Sequence, residues 1–141
     1  MPAASFVIDA SVAVKWFSLE PGRRQAIKIL KKLEKGKWEL LAPEILLYEV
    51  VNALWKDKRL EIKDIKTAID DLSEIGIQLQ QLNKFLAHQA IEFMVKYNLT
   101  FYDAVYGALA FLSNIPLISA NPKHHKKIKE IKVLALDKVK N

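Results

Sequence analysis

The fold is decided by residues 5–11, SFVIDAS. The first four residues form a short, largely apolar run that stops at Asp9, a pattern typical of a strand buried on both faces. Strands of this kind occur in parallel sheets that helices cover on both sides. Side chains at the carboxyl ends of such strands line the crevice where these sheets bind ligands. Asp9 is therefore either a site carboxylate or a turn aspartate, and its position alone leaves both interpretations open.

Strand-like and helix-like segments alternate along the rest of the chain. We predict strands at residues 5–8, 38–42, 77–82, 115–119 and 132–136. We predict helices from Ser11 to Phe17, from Pro21 to Gly36, from Pro43 to Lys58, from Asp64 to Gly76, from Asn83 to Asn98, from Thr100 to Asn114, and a short one from Pro122. Because helices separate the strands, this order predicts an α/β fold with a mainly parallel sheet and helices on both faces.

The composition excludes several classes of protein. The length of 141 residues and the hydrophobic content of 51% suit a single domain over residues 1–141. The absence of cysteine excludes a disulfide scaffold, a thiolate zinc site and thiol catalysis. We find no secretory signal and no apolar run long enough to span a membrane. We therefore expect a cytoplasmic protein without a membrane partner.

The charge balance indicates the kind of partner. Lysine and arginine total 22 against 16 aspartate and glutamate, a net charge of +6. A basic chain favours polyanions such as nucleic acid, although a solvated lysine-rich surface gives the same balance. Only Arg23, Arg24 and Arg59 are arginines. We therefore expect contacts to phosphates rather than bidentate contacts to bases.

Glu49 is the single charge within an apolar helical stripe. The other members of the stripe are Ile45, Leu46, Val50, Ala53 and Leu54. An unpaired carboxylate beside a core is unfavourable, so we expect a metal ion or a cationic group to compensate it, unless its head reaches water. Asn52 lies three residues on and shares the same face, where it either supports Glu49 or caps a neighbouring segment.

Asp103 and Asn121 have structural explanations as well as functional ones. Thr100 and Asp103 match a capping box, which alone accounts for an acid at this position. The small, apolar residues that follow predict close packing on the sheet, which would bring this first helical turn near the edge of the site. Asn121 follows a predicted strand, but it also fits an N-cap before Pro122.

Three carboxylates and an amide at one edge of a sheet suit a hard divalent cation. Mg²⁺ and Mn²⁺ take oxygen ligands, and Mg²⁺ keeps waters and substrate phosphates in its shell. The four glycines are scattered, so the sequence has no glycine-rich phosphate loop. His124 and His125 are adjacent and cannot form a helical metal-binding pair. With Lys123, Lys126 and Lys127 they form either a rim that contacts phosphates or a solvated surface.

Four segments together resemble the PIN-domain ribonucleases, in particular the VapC-type toxins of toxin–antitoxin pairs. The segments are VIDAS at 7–11, YEVVNAL at 48–54, FYDAVYGALA at 101–110 and LISAN at 117–121. They occur in the order and approximate spacing of the family and cover essentially the whole chain. The resemblance implies a three-layer α/β/α sandwich with a central, mainly parallel sheet, in agreement with the alternation of segments.

The resemblance also implies a catalytic site. Asp9 and Asp103 match the family's main metal ligands and Glu49 matches its third acid, so these residues are expected to be catalytic and to hold Mg²⁺ or Mn²⁺. Ser11 matches a residue that supports the first aspartate. Asn121 matches a position that is usually aspartate. The amide removes one negative charge but can still bind a metal-held water.

The implied activity is that of a divalent-metal-dependent endoribonuclease that hydrolyses RNA phosphodiester bonds. Asn52 is expected to support the site, and Lys123, Lys126 and Lys127 are expected to bind RNA. Expected partners are the RNA substrate, a small antitoxin and a second copy of the chain in a homodimer. The alternative, which Asn121 motivates, is a degenerate PIN-like module that binds RNA or a protein without cleavage.

Overall fold

The computed structural model describes residues 3–140 and contains one sheet of five parallel strands. The strands are β1 (Ala4–Ile8), β2 (Trp38–Pro43), β3 (Gln78–Gln80), β4 (Leu117–Ser119) and β5 (Val133–Ala135). Their order across the sheet is β3-β2-β1-β4-β5, and every neighbouring pair is parallel. The predicted parallel sheet is confirmed. Three residues of the predicted domain, at positions 1, 2 and 141, lie outside the described residues.

The apolar run of β1 occupies the centre of the sheet. Val7 and Ile8 are fully buried, and Val7 lies opposite Leu41 of β2 and Leu117 of β4. The strands that follow β1 in the chain lie on both sides of it, so the strand order reverses there. In open α/β sheets a crevice forms at the carboxyl end of the strands where the order reverses. Asp9, which directly follows β1, lies at this position.

Helices flank the sheet. They are α1 (Ala10–Ala13), α2 (Arg23–Glu34), α3 (Ile45–Trp55), α4 (Ile62–Glu74), α5 (Lys84–Tyr97) and α6 (Phe101–Ser113). Short 3₁₀ turns lie at Val14–Trp16, His125–Lys127 and Leu136–Lys138. Helix α6 contacts β1, β2 and β4 and packs against α5, whereas α2 contacts β2 and the first 3₁₀ turn. The predicted layered sandwich is confirmed. Within residues 3–140, no helix is both long and apolar enough to cross a membrane.

Small residues let α6 approach its neighbours closely. Ala104 and Ala108 are fully buried. A Cβ atom placed on Gly107 would lie 2.3 Å from Cδ1 of Ile128, a contact too short for real atoms. Ile128 follows the 3₁₀ turn His125–Lys127 and is 1% exposed. The absence of a side chain at Gly107 therefore allows this turn to pack against α6.

Side-chain caps predict two helix starts correctly. Asn83 caps α5 by accepting the Leu86 N–H, and Thr100 caps α6 by accepting the Asp103 N–H. The predicted Ser11 cap is wrong, because Asp9 caps α1 and accepts the N–H of Ser11. These outcomes agree with the general rule that the capping oxygen lies one residue before the first helical turn.

The predicted starts at Pro21, Pro43, Asp64 and Pro122 are wrong. Gly22 is the N-cap of α2, and Pro43 is the last residue of β2, where it pairs with Gln80. Helix α4 begins at Ile62 because Glu61 and Asp64 form a reciprocal capping box. Pro122 leads into a turn and the 3₁₀ turn His125–Lys127 rather than a helix, and α3 ends at Trp55 rather than at Lys58.

Candidate active site

Asp9 lies buried at the carboxyl end of β1 and accepts hydrogen bonds on both carboxylate oxygens. The residue is 6% exposed. Oδ1 accepts the backbone N–H of Ser11 at 3.1 Å and also its hydroxyl. Oδ2 lies 3.1 Å from Nε2 of His125. A turn aspartate explains the bond to Ser11, but not the contact with a histidine 116 positions away.

Ser11 joins the ends of two neighbouring strands. Its hydroxyl donates to Asp9 and accepts the backbone N–H of Ala120, just after β4, at 2.9 Å. The Ser11 and Ser119 hydroxyl oxygens lie 3.3 Å apart. Ser11 therefore holds the Asp9 carboxylate against the end of β4.

Glu49 lies on α3 and is held by a residue of α6. The Tyr106 hydroxyl donates to Glu49 Oε1 at 2.6 Å. Burial raises the pKa of Glu49, and the nearby charges of Asp103 and Asp9 raise it further, against the opposing effect of the Tyr106 hydrogen bond. The charges of Asp103 and Asp9 therefore act on the Glu49 carboxylate. Like charges held together in this way destabilise each other until a cation is bound.

Asp103 lies in the first turn of α6 and is partly buried. Its backbone N–H donates to Thr100 Oγ1 at 3.1 Å. The return bond of a full capping box, from the Thr100 N–H to the Asp103 carboxylate, does not form in the described structure. Helix capping thus uses the backbone of Asp103 and leaves its carboxylate for other contacts.

His125 and Tyr106 are site residues that the sequence analysis did not assign to the site. The prediction that His125 lies on an exposed rim or solvated surface is wrong, because its side chain is buried against Asp9 and Tyr106. His125 is 3% exposed, and its ring packs edge-on against Tyr106 with centroids 5.9 Å apart. Burial raises the pKa of Tyr106 far above its usual range, and the neighbouring Glu49 carboxylate adds to this, so the hydroxyl remains a donor. Tyr106 had a detectable signal, since it lies one helical turn after Asp103. For His125 the only signal in the sequence was the apolar Ile128 three residues later, within an otherwise polar segment.

Asn121 and Asn52 have exposed side chains. The Asn121 backbone N–H donates to Ser119 Oγ at 3.0 Å. No hydrogen bond links Asn52 to Glu49, or the Asn121 amide to an acid, in the part of the chain that the structure describes. The metal-binding role of Asn121 and the supporting role of Asn52 stay predictions.

Two cavities are lined by residues that neighbour the site segments in the sequence. One, of about 540 Å³, is lined by Lys15, Lys126 and Lys138 together with Ala120 and Pro122, next to the end of β4. The other, of about 290 Å³, is mostly apolar. Its lining includes Pro43, Ile45, Tyr48, Leu82, Phe101 and Tyr102. Lys123 and Lys127 are exposed on the same segment as Lys126.

The donor chemistry of the site fits Mg²⁺ or Mn²⁺. The acids offer carboxylate oxygens, which hard divalent cations prefer. Within residues 3–140 no three His, Asp or Glu side chains are grouped as ready ligands of one ion. Mg²⁺ commonly binds through one or two carboxylates, with waters and phosphates completing its shell. The site therefore fits an ion whose remaining ligands come from water and substrate.

The chain is similar to known proteins in sequence and in fold. The chain is 31% identical over 85 residues to exonuclease VapC9 of Pyrobaculum aerophilum, an alignment that covers 60% of this chain and 64% of that relative. A toxin–antitoxin complex from Klebsiella pneumoniae contains a chain with a TM-score of 0.71 and 20% identity, covering 95% of this chain and 99% of that one. VapC20 of Mycobacterium tuberculosis, described as a sarcin–ricin loop cleaving toxin, gives a TM-score of 0.68 at 13% identity over 86% of this chain and 93% of its own.

The predicted resemblance to VapC-type proteins is confirmed by these relatives, whose names include a nuclease and a cleaving toxin. The two solved structures are less than 25% identical and show the fold. A family profile described as PIN domain matches residues 6–131, which include all four predicted motifs. The chain therefore belongs to the PIN-domain family.

Proposed function

We infer that this chain is a divalent-metal-dependent endoribonuclease and the toxin of a type II toxin–antitoxin pair. The observation that carries the proposal is the hydrogen bond to Glu49 of α3 from Tyr106 of α6, the helix whose first turn contains Asp103. Burial raises the pKa of Glu49, and the charges of Asp103 and Asp9 raise it further. The proposal uses the carboxylates of Asp9, just after β1, of Glu49 on α3 and of Asp103 on α6, in a chain of net charge +6. Family membership and the nuclease names of the relatives support the same chemistry.

Each site residue has a distinct role in this proposal. Asp9, Glu49 and Asp103 would hold the ion, and the exposed Asn121 amide would bind a water of that ion. When bound, Mg²⁺ or Mn²⁺ supplies a water of lowered pKa and offsets charge that develops on the scissile phosphate. Ser11 fixes the Asp9 carboxylate and Tyr106 fixes Glu49. Because these contacts exist before substrate binds, the acids need little reorganisation.

Lysines near the end of β4 provide the contact with RNA. Lys126, Lys15 and Lys138 line the cavity next to β4, and Lys123 and Lys127 extend the basic surface. Phosphate contacts of this kind bind the backbone without reading the base sequence. The acids repel phosphate until a cation is bound, so metal binding and RNA binding are expected to strengthen each other.

The apolar cavity supports an antitoxin partner. Tyr48 and Tyr102 line it while 71% and 60% exposed, and each directly precedes a site acid. An apolar segment of a small antitoxin seated there would cover the acids.

Exposed apolar residues of α5 and α6 support a homodimer, because a second copy would remove them from water. They are Ile91, Val95, Phe111 and Leu112. We expect the protein to act on RNA in the cytoplasm.

RNA cleavage by the purified chain, with and without Mg²⁺ or Mn²⁺, tests the proposal. We expect metal-dependent internal cleavage that Asp9→Asn abolishes. Asp71→Asn is the matched control, because Asp71 is an exposed aspartate on α4. Cleavage that persists in Asp9→Asn, or that does not depend on a divalent ion, would contradict the proposal.

The exposed position of Asn121 favours one alternative, a module that binds RNA or a protein partner without cutting. Calorimetric titration with Mn²⁺ separates the two functions. Metal binding that is lost in Asp103→Ala supports the nuclease. RNA binding without metal binding or cleavage supports the alternative.

A further inference from the structure

His125 is a buried, titratable side chain to which the proposed nuclease function assigns no role. We propose that it is a positioning residue for Asp9: its Nε2–H holds the Asp9 carboxylate in the orientation that binds the ion. This inference rests on the proposed function, because it concerns the same site. It adds a residue outside the four segments that carry the family resemblance.

The hydrogen bonds of Asp9 support this role. A carboxylate has about four lone-pair positions. The backbone and hydroxyl of Ser11 take two on Oδ1, and His125 Nε2 takes one on Oδ2 at 3.1 Å. One lone-pair position, on Oδ2, is left for an ion. The three donors fix the orientation of the carboxylate and therefore the direction in which this lone pair points. Without His125, Oδ2 would have no donor in the described structure and the carboxylate could tilt about its contact with Ser11.

The other nitrogen of the ring indicates why a histidine is present. Nδ1 of His125 is buried and has no hydrogen-bond partner within the described residues. A ring retained only for packing would be more favourable as a phenyl group, because an unpaired buried polar atom opposes folding. The feature that the imidazole supplies and a phenyl ring lacks is the Nε2 contact with Asp9.

His125 also connects the two halves of the acid cluster. Its ring meets Tyr106 edge-on at 64°, and Tyr106 donates to Glu49. The two packed rings therefore each hold one acid, His125 holding Asp9 and Tyr106 holding Glu49. Their contact sets the spacing of acids that come from β1 and α3, so a loss of the imidazole is expected to affect the binding of an ion between them.

Mn²⁺ affinity, measured by calorimetry on the full chain, tests the inference without relying on catalysis. We expect His125→Phe to lower the affinity by about 10- to 100-fold, the range for loss of a residue that orients a metal ligand. His125→Gln, whose amide N–H reaches a similar position, should restore most of the affinity. His124→Phe is the matched control, because His124 is the exposed neighbour and its substitution should leave Mn²⁺ affinity unchanged.

The cleavage rate supplies a second measurement. If His125 acts through the ion, raising the Mn²⁺ concentration should recover most of the activity of His125→Phe, whereas a damaged fold would not recover. Unchanged Mn²⁺ affinity in a folded His125→Phe would overturn the inference and leave the nuclease function standing. A wild-type chain that neither binds Mn²⁺ nor cleaves RNA would overturn both.

If His125→Phe does not fold, the inference can be tested by NMR on the wild-type protein. Long-range ¹H–¹⁵N spectra should show a persistent Nε2–H on His125, and its ring nitrogens should shift as Mg²⁺ is added until the site saturates. The exposed His88 on α5 should not respond. A His125 ring that is insensitive to Mg²⁺ while other site signals shift would contradict a positioning role.

Discussion

The Tyr106 hydroxyl lies 2.6 Å from Glu49 Oε1 and joins α6 to α3 across the candidate site. Tyr106 is 2% exposed, and burial beside the Glu49 carboxylate keeps its hydroxyl protonated. The same helix carries Asp103 one turn earlier. Helix α6 therefore supplies one acid directly and fixes a second acid through a hydrogen bond.

Tyr106→Phe removes this bond and retains the ring. We expect the free energy of unfolding to fall by about 1 kcal/mol, the usual net value of one hydrogen bond. We also expect slower RNA cleavage, because Glu49 is no longer held. Denaturant unfolding and cleavage rates measure the two effects. Tyr102→Phe is the control for stability, since that residue is 60% exposed on the same helix; an equal loss of stability in both variants would count against the bond to Glu49.

Glu49→Gln should stabilise the metal-free protein at neutral pH. Burial and the charges of Asp103 and Asp9 raise the pKa of Glu49 above its ordinary value of 4.5. A carboxyl group with a raised folded-state pKa disfavours folding once it ionises, so the cost appears as the pH rises through and above 4.5. The neutral amide avoids this cost.

Thermal unfolding at several pH values checks the prediction. Glu49→Gln should melt above the wild type at pH 7, and the difference should vanish below pH 4.5, where the carboxyl group is protonated in both states. Mn²⁺ should raise the melting temperature of the wild type more than that of the variant. An ion stabilises a protein by binding to its folded state, and the variant lacks one of the acids proposed to hold the ion. A variant that is less stable than the wild type at pH 7 without metal would show that the charges are compensated by other groups.

The sequence predicts helix starts correctly where contacts between residues close together in the chain determine them. Asn83 and Thr100 cap their helices through bonds to residues three positions on, and these patterns are visible in the sequence. Pro43 predicts a helix start, whereas in the structure parallel pairing with β3 extends β2 to this residue. That pairing is a tertiary effect with no signal in the surrounding residues.

The same distinction applies to the candidate site. Asp9, Glu49 and Asp103 stood out because each interrupts or borders an apolar pattern. His125 did not, because its burial depends on α6 and on Asp9, more than a hundred residues earlier in the chain. Its neighbours Lys126 and Lys127 are exposed. The buried residues His125 and Ile128 lie three positions apart, at and just after a short 3₁₀ turn, and two positions are too few to show a period in the sequence.

Gly107→Ala should destabilise the protein although alanine favours helices. The new Cβ would lie 2.3 Å from Ile128 Cδ1, and Ile128 is 1% exposed with little room to move. Overpacking of a core costs about 1–3 kcal/mol, against a gain of about 1 kcal/mol in helix propensity. We expect a net loss of stability and weaker Mn²⁺ binding, because the displaced segment carries His125.

Ile128→Val removes the clashing methyl group and makes this prediction specific. Alone, Ile128→Val should cost about 0.5–1.5 kcal/mol. In the Gly107→Ala background it should restore stability, so the two changes are strongly non-additive in a double-mutant cycle measured by denaturant unfolding. Additive losses would mean that Gly107→Ala acts through a different neighbour.

Lys126→Ala should weaken RNA binding in a salt-dependent way. Lys126 lines the basic cavity beside β4, whereas Lys35 lies at the end of α2, just before β2 and so near the opposite, amino ends of the strands. Each lysine–phosphate contact with single-stranded RNA contributes about −0.7 to the slope of log affinity against log salt. Fluorescence anisotropy in the Asp9→Asn background, which prevents cleavage, should show a slope shallower by about that amount for Lys126→Ala. Lys35→Ala should leave the slope unchanged, because an RNA held over the acids reaches only the carboxyl ends of the strands. Equal changes in the two variants would mean that RNA binds through overall charge and is not guided to the acids.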